Sequence, residues 1–234
     1  MIGIIGAMSV EVDGLKAMLE GRRNRTVCGI TFSTGRINGT EVVVAQSGVG
    51  KVFASMCASA MIARFRPSLI INTGVAGCID PELTIGEILV SSGAVQHDFD
   101  TSPIDGTPRG WNEPLKTVVV EASADAAKIL LNAASLEGIR AKSGVIATGD
   151  CFIADKEKKA ELASVFGASA CEMEGGAIAA VSAYNNIPFV VLRAISDGAD
   201  NGAVLDFPSF CRLAADNSIK VLTNALPRLG ELYC

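Results

Sequence analysis

The chain has 234 residues, 49% of them hydrophobic and only 19% charged, with 24 glycines and a net charge of −5. That profile suits one α/β domain with a well-buried sheet, and the lack of any basic run leaves nucleic-acid binding without electrostatic support. Seven widely spaced cysteines with no C-x-x-C, and a single histidine (His97), fit neither a disulfide framework nor a zinc or multi-histidine site, but do fit reduced thiols in the cytoplasm.

In chain order, residues 2–6 read as a buried strand running into a glycine turn, and 9–20 as a helix. Runs 30–35 and 41–46 form a hairpin around Asn38-Gly39, a strong turn signal. Residues 51–65 have helical length and an apolar face, stopped by Pro67. Strands follow at 68–74 and within 86–95. Residues 96–114 lack periodicity, carry Pro103, Pro108 and Pro114, and predict a long ordered loop of the kind that is often functional. Then come helix 123–137, strand 141–148, helix 155–165, strand 169–173, helix 175–186, strand 188–195 and helix 208–226. Apolar strands alternating with helices predict a three-layer α/β sandwich, with a mixed, largely parallel central sheet flanked by helices. One domain over 1–234 is expected. No apolar run approaches about 20 residues and no export signal is evident, so no membrane partner is expected.

Ligands of open α/β sheets gather at the carboxyl ends of strands. Here those ends are "GAMSVE", "SGVGK", "NTGVAG", "TGDCFIAD", "CEMEGG" and "RAISDGAD". Each places glycine or a polar group where apolar character stops, although turns alone also favour Gly and Asp. Neither "GIIGAM" nor "SGVGK" is a dinucleotide or triphosphate loop. No metal cluster or cofactor fingerprint is visible.

These motifs, in this order and near these spacings, closely resemble the bacterial 5′-methylthioadenosine/S-adenosylhomocysteine nucleosidases, members of the nucleoside phosphorylase superfamily. The resemblance covers nearly the whole chain. It implies hydrolysis of an N-glycosidic bond in methionine salvage, with a purine thionucleoside as the small-molecule substrate and no cofactor. Asp197 then matches the acid that protonates adenine N7, and Glu11 the base that activates water. Arg193 matches an arginine that helps position that water. Glu174 matches the ribose anchor, supported by the backbone of Met173, because a carboxylate can accept from both sugar hydroxyls. Phe152 is placed to stack on the purine, and the backbone near Ile153 to read its edge. Met8, Val49 and Phe207 are candidates for the apolar 5′-thio pocket, and Ser196 belongs to the same binding set.

Each role has a plainer alternative. Glu11 can be a first-turn acid favoured by the helix dipole, Asp197 a turn residue, Arg193 a strand-end ion pair, and the aromatic and Met residues ordinary core. Glu172 leans toward a structural part. It shares a face with Glu174 only if extended backbone persists that far. Asp150 also reads as a turn residue. Val75 stands where many relatives have a serine near the water and ribose, which leaves that detail open. The resemblance further implies a homodimer, with loop 96–113 near the partner's pocket. A phosphorylase, a hydrolase of another purine nucleoside such as futalosine, and a non-catalytic nucleoside sensor are the rival readings.

Overall fold

A computed structural model describes residues 1–197 and 207–234, the side chains of 207–210 excepted. Strand β1 (Ile2–Gly6) leads through a tight turn into helix α1 (Ser9–Ala17). Strand β2 (Glu20–Val27) then pairs antiparallel with β3 (Ile30–Ile37), which forms the expected hairpin with β4 (Thr40–Gln46). Both hairpin residues are left-handed, Asn38 at φ 48° and Gly39 at φ 79°, as a tight two-residue turn requires.

Helix α2 (Lys51–Phe65) ends at Arg66, in left-handed backbone just before Pro67. Next come β5 (Leu69–Cys78) and β6 (Ile88–Gln96). The predicted long loop contains one short helix, α3 (Ser102–Asp105), and is followed by a two-residue strand, β7 (Val120–Glu121). The rest is α4 (Ala124–Leu136), β8 (Ala141–Thr148), α5 (Lys156–Phe166), β9 (Ala168–Glu172), α6 (Gly175–Tyr184), β10 (Phe189–Asp197) and α7 (Phe207–Tyr233).

The mixed sheet flanked by helices is present, but it is not a flat middle layer. β10 pairs with both β5 and β6, β6 with β8, β8 with β9, and β9 returns to β5. Five strands thus close into a barrel-like ring, from which β1, β4, β3 and β2 extend as an open wing. Among the described residues five strand pairings are parallel and five antiparallel, so the sheet is evenly mixed rather than largely parallel. This closure explains why every residue of β10 is buried.

One apolar cluster packs Val12 and Leu15 of α1, Leu130 of α4 and Leu222 of α7 against Ile2 and Ile4 of the sheet. Another packs Ala54 and Met61 of α2 and Ile178 of α6 against Ile5, Phe32 and Val43. α7 runs past its expected end through Pro227. Proline lacks the N–H that would bond the carbonyl four residues back. That carbonyl, on Thr223, accepts instead from Asn38 Nδ2 at 3.0 Å, so the hairpin turn repairs the helix.

Candidate active site

The carboxyl ends of β1, β5, β9 and β10 meet at one cavity of about 230 Å³. Met8, Glu11, Val49, Val75, Phe152, Glu172, Met173, Glu174 and Ser196 all line it. These residues are up to 188 positions apart in the chain, and the sheet alone brings them together.

Glu11 is the third residue of α1 and is 2% exposed. Its Oε2 accepts from the backbone N–H groups of Ala7 (2.7 Å) and Met8 (2.9 Å), which satisfies donors left over at the helix start. Its Oε1 accepts from Val75 N–H at 3.1 Å. Burial pushes the Glu11 carboxyl above its ordinary range, against the opposing pull of Arg193 and of these three N–H groups. A raised carboxylate is a stronger base.

Arg193 lies in the middle of β10 and is fully buried. Its Nη2 donates to Asn72 Oδ1 (2.6 Å) and to Glu172, and stands 3.5 Å from Glu174 Oε2. Its Nη1 reaches the Val75 carbonyl at 3.4 Å. Burial alone would lower the basicity of Arg193, but Glu172, Glu174 and Glu11 outweigh it and hold the guanidinium charged. Gly74, directly opposite Arg193 in the neighbouring strand, leaves the space this group and Glu11 occupy.

The two glutamates of "CEMEGG" differ in their partners. β9 ends at Glu172, and Glu174 is in non-extended backbone (φ −135°, ψ −40°) just before α6. A turn, not strand alternation, therefore brings both carboxylates to Arg193. Glu172 accepts from Thr148 Oγ1, from Arg193 and from the N–H groups of Glu174 (3.0 Å) and Gly175 (2.7 Å). Its oxygens are occupied by internal donors at the positive end of α6. Glu174 keeps more freedom: Oε1 accepts from Gly50 N–H at 2.9 Å, and Arg193 is the further neighbour. Burial, and then the charge of Glu172, push its carboxyl up to about 7, with Arg193 pulling the other way.

Asp197 closes β10 after an irregularity in register between Ile195 and Asp197. Such bulges re-aim side chains next to functional sites. Its Oδ2 accepts from Lys159 Nζ at 3.0 Å, and Oδ1 is buried without a hydrogen-bond partner.

The remaining candidates divide. Val75 presents its side chain to the cavity, while its backbone serves Glu11 and Arg193. Phe152 lines the cavity and is 58% exposed, where an aromatic residue would by default be buried in the core. Ile153 instead packs its side chain toward the cluster containing Leu162 and Phe166. The Phe207 side chain lies outside the described residues. His97 is buried against Gly149, is not among the cavity-lining residues, and has its basicity lowered by burial.

Further contributors are Asn72, which the sequence did not single out, and Asp150, which it read as a turn residue. Asn72 bridges Arg193 and the Ile5 carbonyl. Asp98 and Asp150 form a clip with Lys51. Lys51 Nζ reaches Asp98 at 2.6 Å, Asp98 accepts from Asp150 N–H at 2.9 Å, and Asp150 accepts from Lys51 N–H at 2.8 Å. The clip ties the loop carrying Phe152 to the start of α2. Among the described residues no His, Cys, Asp and Glu are grouped so as to hold a metal ion, and no helix is long and apolar enough to cross a membrane.

A family model described as the phosphorylase superfamily matches residues 1–227. A 5′-methylthioadenosine/S-adenosylhomocysteine nucleosidase of Shewanella loihica is 38% identical over 231 residues, covering 97% of this chain and 99% of that protein. The solved structure of a nucleosidase of the same description from Colwellia psychrerythraea, in complex with adenine, superposes with a TM-score of 0.91 at 36% identity, covering 97% of this chain and 95% of that one. A futalosine hydrolase of Helicobacter pylori superposes with a TM-score of 0.90, also at 36% identity and with 97% of both chains covered.

Proposed function

The chain belongs to the phosphorylase superfamily, and from that premise we propose that it is a nucleosidase that hydrolyses the N-glycosidic bond of 5′-methylthioadenosine and S-adenosylhomocysteine. It releases adenine and the 5-substituted ribose, and 5′-deoxyadenosine fits the same scheme. The observation that carries hydrolysis over phosphorolysis is charge. Three buried carboxylates, Glu11, Glu172 and Glu174, surround one arginine, Arg193. A phosphate dianion placed there would meet net negative charge in a poorly screened site. Water does not.

Glu11, fixed by three N–H groups beside the cavity, takes the proton of the attacking water. Arg193 acts through the carboxylates and Asn72 that it orients. Glu174 accepts hydrogen bonds from the ribose hydroxyls, which requires its ionised form. Glu172 holds the turn that presents Glu174, and Met173 contributes backbone beside it. Asp197 delivers a proton to N7 as the C1′–N9 bond breaks. A positioned general acid contributes typically about 10²–10⁴-fold. Phe152 stacks on the purine, with the backbone near Ile153 and Ser196 along its edge. Met8, Val49 and Phe207 enclose the 5′ substituent, and Val75 lies near the water and ribose. The protein works as a cytoplasmic homodimer, with residues 96–113 reaching toward the partner's pocket.

The futalosine hydrolase likeness supports a second substrate reading at the same site. A 6-amino purine offers a donor to a carboxylate, whereas a 6-oxo purine offers an acceptor. The test is kcat/KM on methylthioadenosine, adenosylhomocysteine, 5′-deoxyadenosine and futalosine. Preference for the two thionucleosides is expected. Turnover of futalosine alone would replace the substrate assignment.

A further inference from the structure

Lys159 is the fourth residue of α5 and is 6% exposed, on the inner face with Leu162 and Phe166. Its position breaks two rules. A cation in the first turn opposes the helix dipole, and burying an ammonium is strongly unfavourable unless it is paired. Neither helix stability nor packing accounts for a lysine there.

Asp197 does account for it. Lys159 Nζ donates to Asp197 Oδ2 at 3.0 Å, with side chains 7% and 4% exposed. Asp197 Oδ1 is left buried and without a hydrogen-bond partner. It points at Gly77, where a Cβ would come within 3.1 Å of it, and Gly77 lines the cavity. Among the described residues, the thiols of Cys171 in β9 and Cys78 in β5 neighbour the pair, both pushed up by burial, and Lys159 is the cation in contact with Asp197.

We propose that Lys159 is a positioning residue for protonation of the departing base. Its ammonium fixes Asp197 Oδ2, leaves Oδ1 as the oxygen that meets the purine, and stabilises the carboxylate left behind. In that step the Oδ1–H proton passes to N7, the C1′–N9 electron pair stays with the base, and Asp197 becomes an anion beside Lys159. The inference rests on the reading of Asp197 as the acid.

The test compares K159M, K159R and D197N with the parent, on methylthioadenosine. K159M is expected to lower kcat about 10–100-fold with KM changed less than about threefold. K159R is expected to restore most of kcat. If K159M does not fold, K159Q, which keeps a donor without the charge, is expected to show the same loss of kcat with KM little changed. Parent-like kcat in the folded neutral variant overturns the inference. D197N separates the two levels: an active D197N overturns the acid assignment itself, whereas an inactive D197N beside a parent-like K159M overturns only the role of Lys159.

Discussion

Gly74 faces Arg193 across β5 and β10 and is the tightest point of the site. Its backbone is not in the left-handed region, so alanine is conformationally acceptable there. Space is what alanine lacks. An added Cβ would lie 2.5 Å from Glu11 Oε1, 2.9 Å from Glu11 Cδ, and closer still to Arg193 Nη1. Restoring ordinary contact at 3.4 Å requires the carboxylate to retreat by about 0.9 Å. Glu11 is held by three N–H groups and Arg193 by Asn72 and Glu172, so neither has an alternative position to occupy. A misplacement of about 1 Å costs about 10²-fold in rate, and overpacking costs about 1–3 kcal/mol in stability. G74A is therefore expected to fold, to melt several degrees lower, and to release adenine from methylthioadenosine with kcat/KM reduced about 10²-fold. Continuous absorbance assay of adenine release and a thermal melt measure both. A kcat/KM within about threefold of the parent would refute the reasoning, because Glu11 and Arg193 would then tolerate displacement.

The Glu174 carboxyl, pushed up to about 7, makes two pH predictions. Binding through the ionised form should weaken as pH falls through about 7, seen as an acid limb in kcat/KM for methylthioadenosine. For stability the sign is opposite. A carboxyl raised on folding stabilises the fold below its ordinary value of 4.5, and that contribution is lost as pH rises through about 7. E174Q should thus gain Tm relative to the parent at about pH 8 more than at about pH 5, while losing about 10²-fold in kcat/KM with the charged acceptor. Equal Tm differences at both pH values would contradict the shift. D98N removes one charge from the half-exposed clip with Lys51 and Asp150, an interaction worth about 1 kcal/mol. KM should rise about fivefold, with kcat changed less, and an unchanged KM would separate the clip from Phe152.

Local signals carried much of the fold. β1, α2 and β8 have the expected bounds, and the Asn38-Gly39 turn is where the sequence places it. β2 was missed because "EGRRNRTV" is exposed almost throughout and has no apolar face to reveal it. "NTGVAG" reads as a turn but is strand through Cys78. Gly74 and Gly77 are there to admit Glu11, Arg193 and Asp197, not to bend the chain. Closure of the ring depends on β10 pairing with two strands distant in sequence, which no local pattern encodes. α7 runs on past residue 226 through Pro227, and the compensating donor, Asn38, lies far away in the chain.

In the site, the carboxylates were visible because charge stands out among apolar strand ends. Lys159 was not, since "KEKK" reads as a solvated surface. Its spacing from Leu162 and Phe166 was the available signal that it faces inward. Asn72 was hidden inside an apolar strand, and its purpose appears only with Arg193 in place.

The central claim is that water, not phosphate, attacks the ribosyl carbon. Adenine release from methylthioadenosine should proceed at the same rate with and without inorganic phosphate, and the sugar product should be free 5-methylthioribose. Release that depends on phosphate and yields the sugar 1-phosphate would contradict the account.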